Sequence, residues 1–458
     1  MAMYNLGVLL EDRDPEQARR WYEQAAEAGY ADAMYNLGVR FRDSDPGQAQ
    51  RWFERAAQAG QTRGLVGLGI LASDRDPDQA ARWYQQAAEA GNADGMVKLG
   101  ILRKDRDPAQ ARHWFEQAAE EGNADAVFNV GVMLLDSDPE QARPWFERAA
   151  EAGHVQSMYS LGALYKDSDP DQARRWFERG AEAGDIDSLV GLGFLAMGTD
   201  PEQARPWFER AAQAGNTTAM LNLGILLEAS DPEQARDWFE QAVEAGNTDG
   251  LVGLGTSAMG RDLDEAKRWF ERAAQAGNAV GMYNLAVLIR GSDPGQARDW
   301  FERAAEAGHT GGMIGMGAQF EDSDPDQAAR WYQRAAEAGD ADAMVRLGNL
   351  LARYDPEQAR HWTEQAAVAG NVNAMFKLGI LLNASDPEQA RHWTERAAEA
   401  GSADAMFNLG AWPWTATQSR PGTGSGGPPR RAAPGAWSPW ASCCDPAIRT
   451  RRGGGLTG

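Results

Sequence analysis

The sequence predicts an all-α fold assembled from about 13 stacked helix–turn–helix units of 31 residues. Three observations predict it. Tryptophan recurs at every 31st position, from Trp21 and Trp52 through to Trp362 and Trp393. An aspartate stands seven residues before each of them, from Asp14 to Asp386, and proline follows it in 12 of the 13 units, Asp262-Leu263 being the exception. A glycine lies eight residues after each, from Gly29 to Gly401. Self-similarity at a fixed period of this size marks a repeat array rather than one globular core.

Each element follows from its local chemistry. The first helix of a unit starts beside an Asn or Asp, as in Asn92-Ala93-Asp94, and its apolar stripe is Met34, Leu37, Gly38 and Phe41. A short turn, Asp43-Ser44-Asp45, closes it. The second helix opens with an N-cap aspartate such as Asp14, and Pro15 suits the first helical turn, where a missing N–H costs nothing. Gln17, three residues after the cap, can reach back as in a capping box. Ala18, Trp21, Tyr22, Ala25 and Ala26 form the i, i+3, i+4, i+7, i+8 stripe. Gly29 then stops the helix in the left-handed conformation. Two helices and two turns fill the period and leave no room for strands. One helix pair cannot bury its own apolar face, so neighbours must stack. The tryptophan is expected as the large core residue between the two helices, with Ala25-Ala26 and the glycine of each Leu-Gly pair allowing close approach. Three first helices are rich in glycine (Gly64-Gly67-Gly69, Gly250-Gly253-Gly255 and Gly311-Gly312-Gly315-Gly317) and are expected to bend.

The string Ala-Asp-Ala-Met-Tyr-Asn-Leu-Gly at 31–38, with Ala49, Trp52, Ala56-Ala57 and Gly60, resembles the Sel-one-like repeat family, a relative of the tetratricopeptide repeat. The resemblance covers roughly residues 2–410 in one register. One departure is the short Asp-Ser-Asp-Pro turn, where family repeats carry a longer glycine-containing loop. The resemblance implies a right-handed α-solenoid over 1–410 used as a protein-interaction scaffold, with the first helix of each unit lining the concave side.

The chain carries −22 at pH 7. Much of this charge is paired locally on outward faces: Glu16 is expected to face Arg20, and Arg19 to face Glu23, at i, i+4 spacing. The acidic excess argues against nucleic acid and anionic membrane as partners. Residues 411–458 break the period, with Thr417 and Gly424 where an Asp and a Trp are due. They are Pro/Gly/Arg-rich and carry +5, leaving −27 on the repeats. That composition reads as a disordered tail, and its abrupt start inside a first helix reads as a shifted frame; a basic docking tail is the alternative. Met1 enters a first helix without its cap, so both ends look truncated. The only cysteines, Cys443 and Cys444, lie in the tail. With no disulfide framework, no apolar run of membrane-spanning length and no signal-peptide pattern, the expected compartment is the cytoplasm.

No catalytic or metal-binding constellation stands out, and no cofactor is expected. His113, His361 and His392 precede the tryptophan, and His154 and His309 follow the stop glycine; all five read as surface positions of the repeat. His361 and His392 lack a third ligand for zinc. Gly64-Leu65-Val66-Gly67-Leu68-Gly69 resembles a nucleotide loop only in letters, since it falls in a helix. An enzyme hidden in the array would break its symmetry with a cluster of unusual polar residues, and none appears between 14 and 410.

The first-helix surface is different. Tyr35, Val39 and Arg42 form a stripe beside the core stripe, with Asn36 alongside; Phe128-Asn129, Leu221-Asn222 and Tyr283-Asn284 repeat the pattern. An aromatic platform beside an amide is what an extended peptide needs. Tyr35, Asn36, Phe128, Asn129, Asn222, Tyr283 and Asn284 are therefore the candidate peptide-binding residues. Lys98 and Lys377 occupy Asn sites, and lysines are otherwise scarce there, which argues against a carboxylate clamp. The reading is a non-enzymatic scaffold that binds a protein or peptide along its concave face. The alternatives are an enzyme within the solenoid, such as a hydrolase of cell-wall fragments, or a gene remnant without function. The sequence names neither the partner nor an oligomeric state.

Overall fold

A computed structural model describes residues 1–411, so the tail expected from 411 onward lies outside the described residues beyond its first position. Among the described residues there are 27 α-helices and no strand. The first seven set the pattern: α1 (Ala2–Leu10), α2 (Pro15–Glu27), α3 (Ala31–Phe41), α4 (Pro46–Gln58), α5 (Arg63–Ala72), α6 (Pro77–Glu89) and α7 (Ala93–Arg103). First helices of about 11 residues alternate with second helices of 13 residues throughout. The chain divides into two compact units, Met1–Ala214 and Gly215–Gly458. Over the described residues, each is an α-solenoid stretch in which a first helix packs against the second helix before it and the one after it.

The expected caps form. Asp14 Oδ1 accepts the Gln17 N–H at 3.0 Å and Asp45 Oδ1 the Gln48 N–H at 2.9 Å. The backbone half of the capping box does not form, because the Asp14 N–H already donates to the Leu10 carbonyl at 2.8 Å. The preceding helix thus hands over directly to the next, and glutamine is free to bond the capping carboxylate instead, as Gln141 Nε2 does with Asp138 Oδ2 (2.8 Å). At the other end Gly29 has φ +86°. Its N–H donates to the Ala26 carbonyl and that of Tyr30 to the Ala25 carbonyl, both at 3.0 Å, which is the Schellman arrangement.

The core differs from expectation at one position. The tryptophans are half-buried, and the residue after each of them fills the interior: Tyr22, Phe53, Phe115, Phe146, Phe208, Phe239, Phe270 and Tyr332 are all sealed from solvent. The reason is the Leu-Gly glycine. A Cβ at Gly38 would lie 2.5 Å from the Phe53 ring, and one at Gly67, on the next first helix, 2.6 Å from the same ring. Glycine leaves room for the ring at these positions; in one hairpin alanine takes the place, Ala286 being buried in the same cluster as Phe301, which is 5% exposed. The tryptophan, about 100° further round the helix, covers the seam. Eight of the 13 carry the guanidinium of an arginine three residues later on their face, as Arg55 does over Trp52 at 4.4 Å. In the last two hairpins Thr363 and Thr394 replace the ring and bond back to the Ala359 and Ala390 carbonyls at 2.8 and 2.7 Å.

The glycine-rich first helices have the same explanation. Gly64, Gly67 and Gly69 are buried, and a Cβ at Gly64 would sit 2.6 Å from the Phe53 carbonyl. They allow close contact with the neighbouring second helices. On the surface, Arg19 pairs with Glu16 at 3.0 Å and Glu23 at 3.7 Å, so Glu16 faces Arg19 rather than Arg20.

Where the core ring is tyrosine, the same repeat position supplies a partner. Tyr22 OH donates to Glu11 Oε2 at 3.1 Å, Tyr332 OH to Glu321 Oε2 at 3.1 Å, and Tyr84 OH lies 2.9 Å from Ser73 Oγ. Burial, reinforced by the adjacent glutamates, pushes Tyr22 and Tyr332 up to about 12. A raised folded-state value contributes stability that is whole below the unfolded value of 10.0 and is lost as pH rises through about 12. Spectrophotometric titration is expected to show two late phenols, and Tyr22→Phe with Tyr332→Phe to flatten the fall in stability over that window. Ionisation of all tyrosines in one step near 10.0 would contradict the assignment.

Candidate peptide-binding face

The N-caps of the first helices build one edge of this face. Asn92 Oδ1 accepts the Gly95 N–H at 2.9 Å, while its Nδ2 donates to Thr62 Oγ1 of the preceding repeat at 2.9 Å. Asn123 does the same with Ala126 (2.9 Å) and Asp94 (3.2 Å), and Asn278 with Gly281 (2.9 Å) and Asp249 (2.7 Å). One amide thus caps its own helix and ties it to the previous one.

His154 takes this place as a mimic of asparagine. Its Nδ1 accepts the Ser157 N–H at 3.3 Å, and its Nε2 lies 3.5 Å from Asp125 Oδ1. His309 caps Gly312 through Nδ1 at 3.2 Å. The sequence placed both on a drifting surface; the structure half-buries them as caps. Capping needs an unprotonated Nδ1, so the neutral Nε2–H tautomer fits both bonds of His154. Burial lowers both histidines from their ordinary 6.5, with Asp125 and Asp340 pulling the other way. A lowered folded-state value means stability that is present above 6.5 and lost as pH falls through the folded value. His154→Asn keeps both bonds without a titrating group. It is expected to be neutral at pH 8 and to remove part of the acid destabilisation below about 6.5. Equal acid sensitivity in both proteins would refute this. His113, His361 and His392 are exposed as expected.

The candidate aromatic rings lie half-buried within the seam. Tyr35 packs on Phe53 (5.7 Å between centroids) with Arg63 over its other side (5.6 Å). Phe128 lies between Phe146 (5.6 Å) and a stacked His154 (4.5 Å). Tyr283 lies between Phe301 (6.0 Å) and a stacked His309 (4.8 Å). Each ring therefore offers an edge rather than an open face.

The asparagines divide. Asn222 is 3% exposed and its Nδ2 donates to the Thr218 carbonyl at 2.8 Å, so it is a core residue and not, as expected, a side chain off the core stripe. Asn129 donates to the Asp125 carbonyl at 2.7 Å but is only half-buried. Asn36 and Asn284 are half-buried. Of the lysines at this position, Lys98 is exposed and Lys377 Nζ donates to Asn349 Oδ1 at 2.5 Å.

A row of aliphatic side chains on the first helices runs beside them. Val8, Val39, Ile70 and Ile101 hold the same position in four successive first helices of the first unit, and they are 45, 41, 38 and 41% exposed. Helices α3 and α5, and α5 and α7, touch directly, so the last three positions lie on neighbouring helices. The periodic signal was available, since all four positions are β-branched aliphatics 31 residues apart.

Among the described residues, no group of three or more His, Cys, Asp or Glu is gathered as a metal site, and no helix is long and apolar enough to cross a membrane. A shallow cavity of about 300 Å³ beside Arg103, Arg106 and Asp78 is bridged by an exposed Arg106–Asp78 pair at 3.9 Å.

Comparison with known proteins gives the following. The Sel1 repeat model matches residues 1–30, 31–61, 65–92, 95–123, 124–154, 155–185, 251–278, 279–309, 311–340, 341–371 and 372–402, and a tetratricopeptide repeat model matches 194–250. The chain is similar to a protective antigen present in uropathogenic Escherichia coli strains displaying an SLR fold, at 27% identity over 89% of this chain and 99% of that one, with a TM-score of 0.48. It is also similar to a Sel1 repeat protein from Oxalobacter formigenes, at 26% identity over 61% of this chain and 92% of that one, with a TM-score of 0.40. The search of the curated proteins gave no match.

Proposed function

Because the chain belongs to the Sel1 repeat family, we propose that it is a non-enzymatic scaffold whose first-helix face binds a protein segment. The observation that carries the reading is the aliphatic row Val8, Val39, Ile70 and Ile101, left at about two-fifths exposure in one register. Aliphatic side chains that stay exposed at a repeated position, on helices that touch, mark an interaction surface. The edges of Tyr35, Phe128 and Tyr283, with Asn36, Asn129 and Asn284, line the same first-helix surface and add apolar contact and hydrogen bonding. Asn222 supports the fold instead. The partner is a protein or peptide; the surplus of acid disfavours nucleic acid and anionic lipid.

The test is site-specific photo-crosslinking in the native host. A benzoylphenylalanine probe at Val39 or Ile101 is expected to trap the partner, and one at exposed Arg82 on α6 is not. Trapping from Arg82 alone would move the binding site to the second helices and overturn the reading.

A further inference from the structure

Both histidine caps cover an aromatic ring of the proposed face. His309 is the N-cap of α21 (Thr310–Phe320) and stacks on Tyr283 of α19 (Ala279–Ile289), with 4.8 Å between centroids and 27° between planes. His154 is the N-cap of α11 (Val155–Tyr165) and stacks on Phe128 of α9 (Ala124–Leu135), at 4.5 Å and 26°. The first stack also draws on Gly311. A Cβ there would lie 2.8 Å from His309 Cε1 and 2.9 Å from Tyr283 Cε2. The same repeat position holds Asp32, Asp94, Asp187 and Asp342 elsewhere, so the two rings fill space that a side chain takes in other repeats.

Protonation acts differently on the two stacks. In each, Nδ1 accepts a backbone N–H, from Ser157 at 3.3 Å and from Gly312 at 3.2 Å. An imidazolium has no lone pair with which to accept it, and the positive end of the helix macrodipole disfavours a cation there. His154 has two groups that hold it in place once charged. Ser157 Oγ lies 3.0 Å from Nδ1 and can accept its new proton, and Asp125 Oδ1 lies 3.5 Å from Nε2. His309 has neither: Gly312 stands where Ser157 stands, and Val280 stands where Asp125 stands. Among the described residues, the charge acting on His309 is that of Asp340, the N-cap of α23 (Ala341–Leu351) in the following repeat; the other titratable group against it is Tyr283. Asp340 Oδ1 caps Ala343 at 3.0 Å, which leaves Oδ2 for an imidazolium. Resting on the proposed first-helix face, we infer that His309 is an acid-released lid on that face. Its neutral imidazole covers Tyr283, and protonation moves it off the ring toward Asp340, freeing the ring for an apolar side chain of the bound segment. His154 is the fixed counterpart, which takes up its proton without leaving Phe128.

The experiment uses the full chain with 4-fluorophenylalanine in place of Tyr283, which keeps the ring and removes its hydroxyl. A second protein carries the same probe in place of Phe128. The fluorine resonance is followed with a soluble neutral gadolinium chelate as pH falls from about 7.5 to about 4.5, across the imidazole range, and helicity is recorded on the same samples by circular dichroism. The probe at 283 is expected to be broadened at least twofold more in acid than at neutral pH, and the probe at 128 to be unchanged, with helicity constant in both. Val280→Asp gives His309 the carboxylate that His154 has and should abolish the acid response at 283. His309→Asn keeps the cap without a titrating group and should make the broadening independent of pH. If the probe at 283 is broadened equally throughout, the charged imidazole stays on the ring and the inference falls. If both probes respond together, if helicity falls with them, or if Val280→Asp or His309→Asn keeps the acid response, acid loosens the repeats generally and the inference falls as well. Either failure leaves the binding face to the crosslinking from Val39 and Ile101, which involves none of these residues; failure of that crosslinking removes the face and leaves the lid as measured.

Discussion

Phe53→Ala is expected to destabilise the hairpins it joins by about 3–5 kcal/mol, the range for truncating a buried aromatic ring. The ring is 2% exposed and lies between two glycine backbones, at Gly38 and Gly67, which have no side chains with which to fill the space. The vacated volume cannot be recovered by repacking, so the loss should fall in the upper part of that range. Trp52→Ala is expected to cost clearly less, because Trp52 is half-buried and one face of its ring carries the exposed Arg55. Repeat arrays hold together through nearest neighbours, so the loss should be local. Hydrogen exchange should rise in α3 to α6 and stay unchanged several repeats away. A Trp52→Ala loss equal to or larger than that of Phe53→Ala would reverse the assignment of the core.

Gly38→Ala is expected to be the second most damaging change, at about 1–3 kcal/mol. On helix propensity alone it should stabilise, since alanine exceeds glycine by about 1 kcal/mol in a helix interior. The two arguments have opposite signs, and geometry decides between them. The new methyl would stand 2.5 Å from two atoms of the Phe53 ring, which is itself held by Gly67 behind it. The ring cannot yield without parting the helices. In the Phe53→Ala background the obstacle is gone, and Gly38→Ala should then become neutral or stabilising. Chemical denaturation of the four proteins measures this coupling. If Gly38→Ala stabilises the parent chain, the close approach is not what selects glycine there.

The helix pairs, their aspartate caps and their stop glycines were legible in the sequence because each obeys a rule spanning only a few residues. The core ring was not. Trp52 and Phe53 both fall on the apolar stripe, and the invariance of the tryptophan does not tell which of them faces inward. The deciding fact is which side chain faces the neighbouring Leu-Gly glycine. A trace of it was present: wherever that ring is tyrosine, the position of Glu11 is Glu or Ser. The asparagines misled for a similar reason. Asn222 looks like a surface residue by spacing, but its amide turns back to the Thr218 carbonyl and is sealed in. His154 could have been read better, since it stands where Asn92 and Asn123 stand, and only its likeness to an amide makes sense of that.

The capping amides all reach in one direction. Asn92 bonds Thr62, Asn123 bonds Asp94 and Asn278 bonds Asp249, each toward the amino end and none toward the carboxyl end. A ribosome releases its product in that same order. A newly emerged repeat therefore finds its acceptor already folded and can complete its first helix at once, with nothing borrowed from sequence still to be made. A chain emerging in this order has its polar seam closed up to the last hairpin at every stage of synthesis, and only the apolar face of that hairpin waits to be covered.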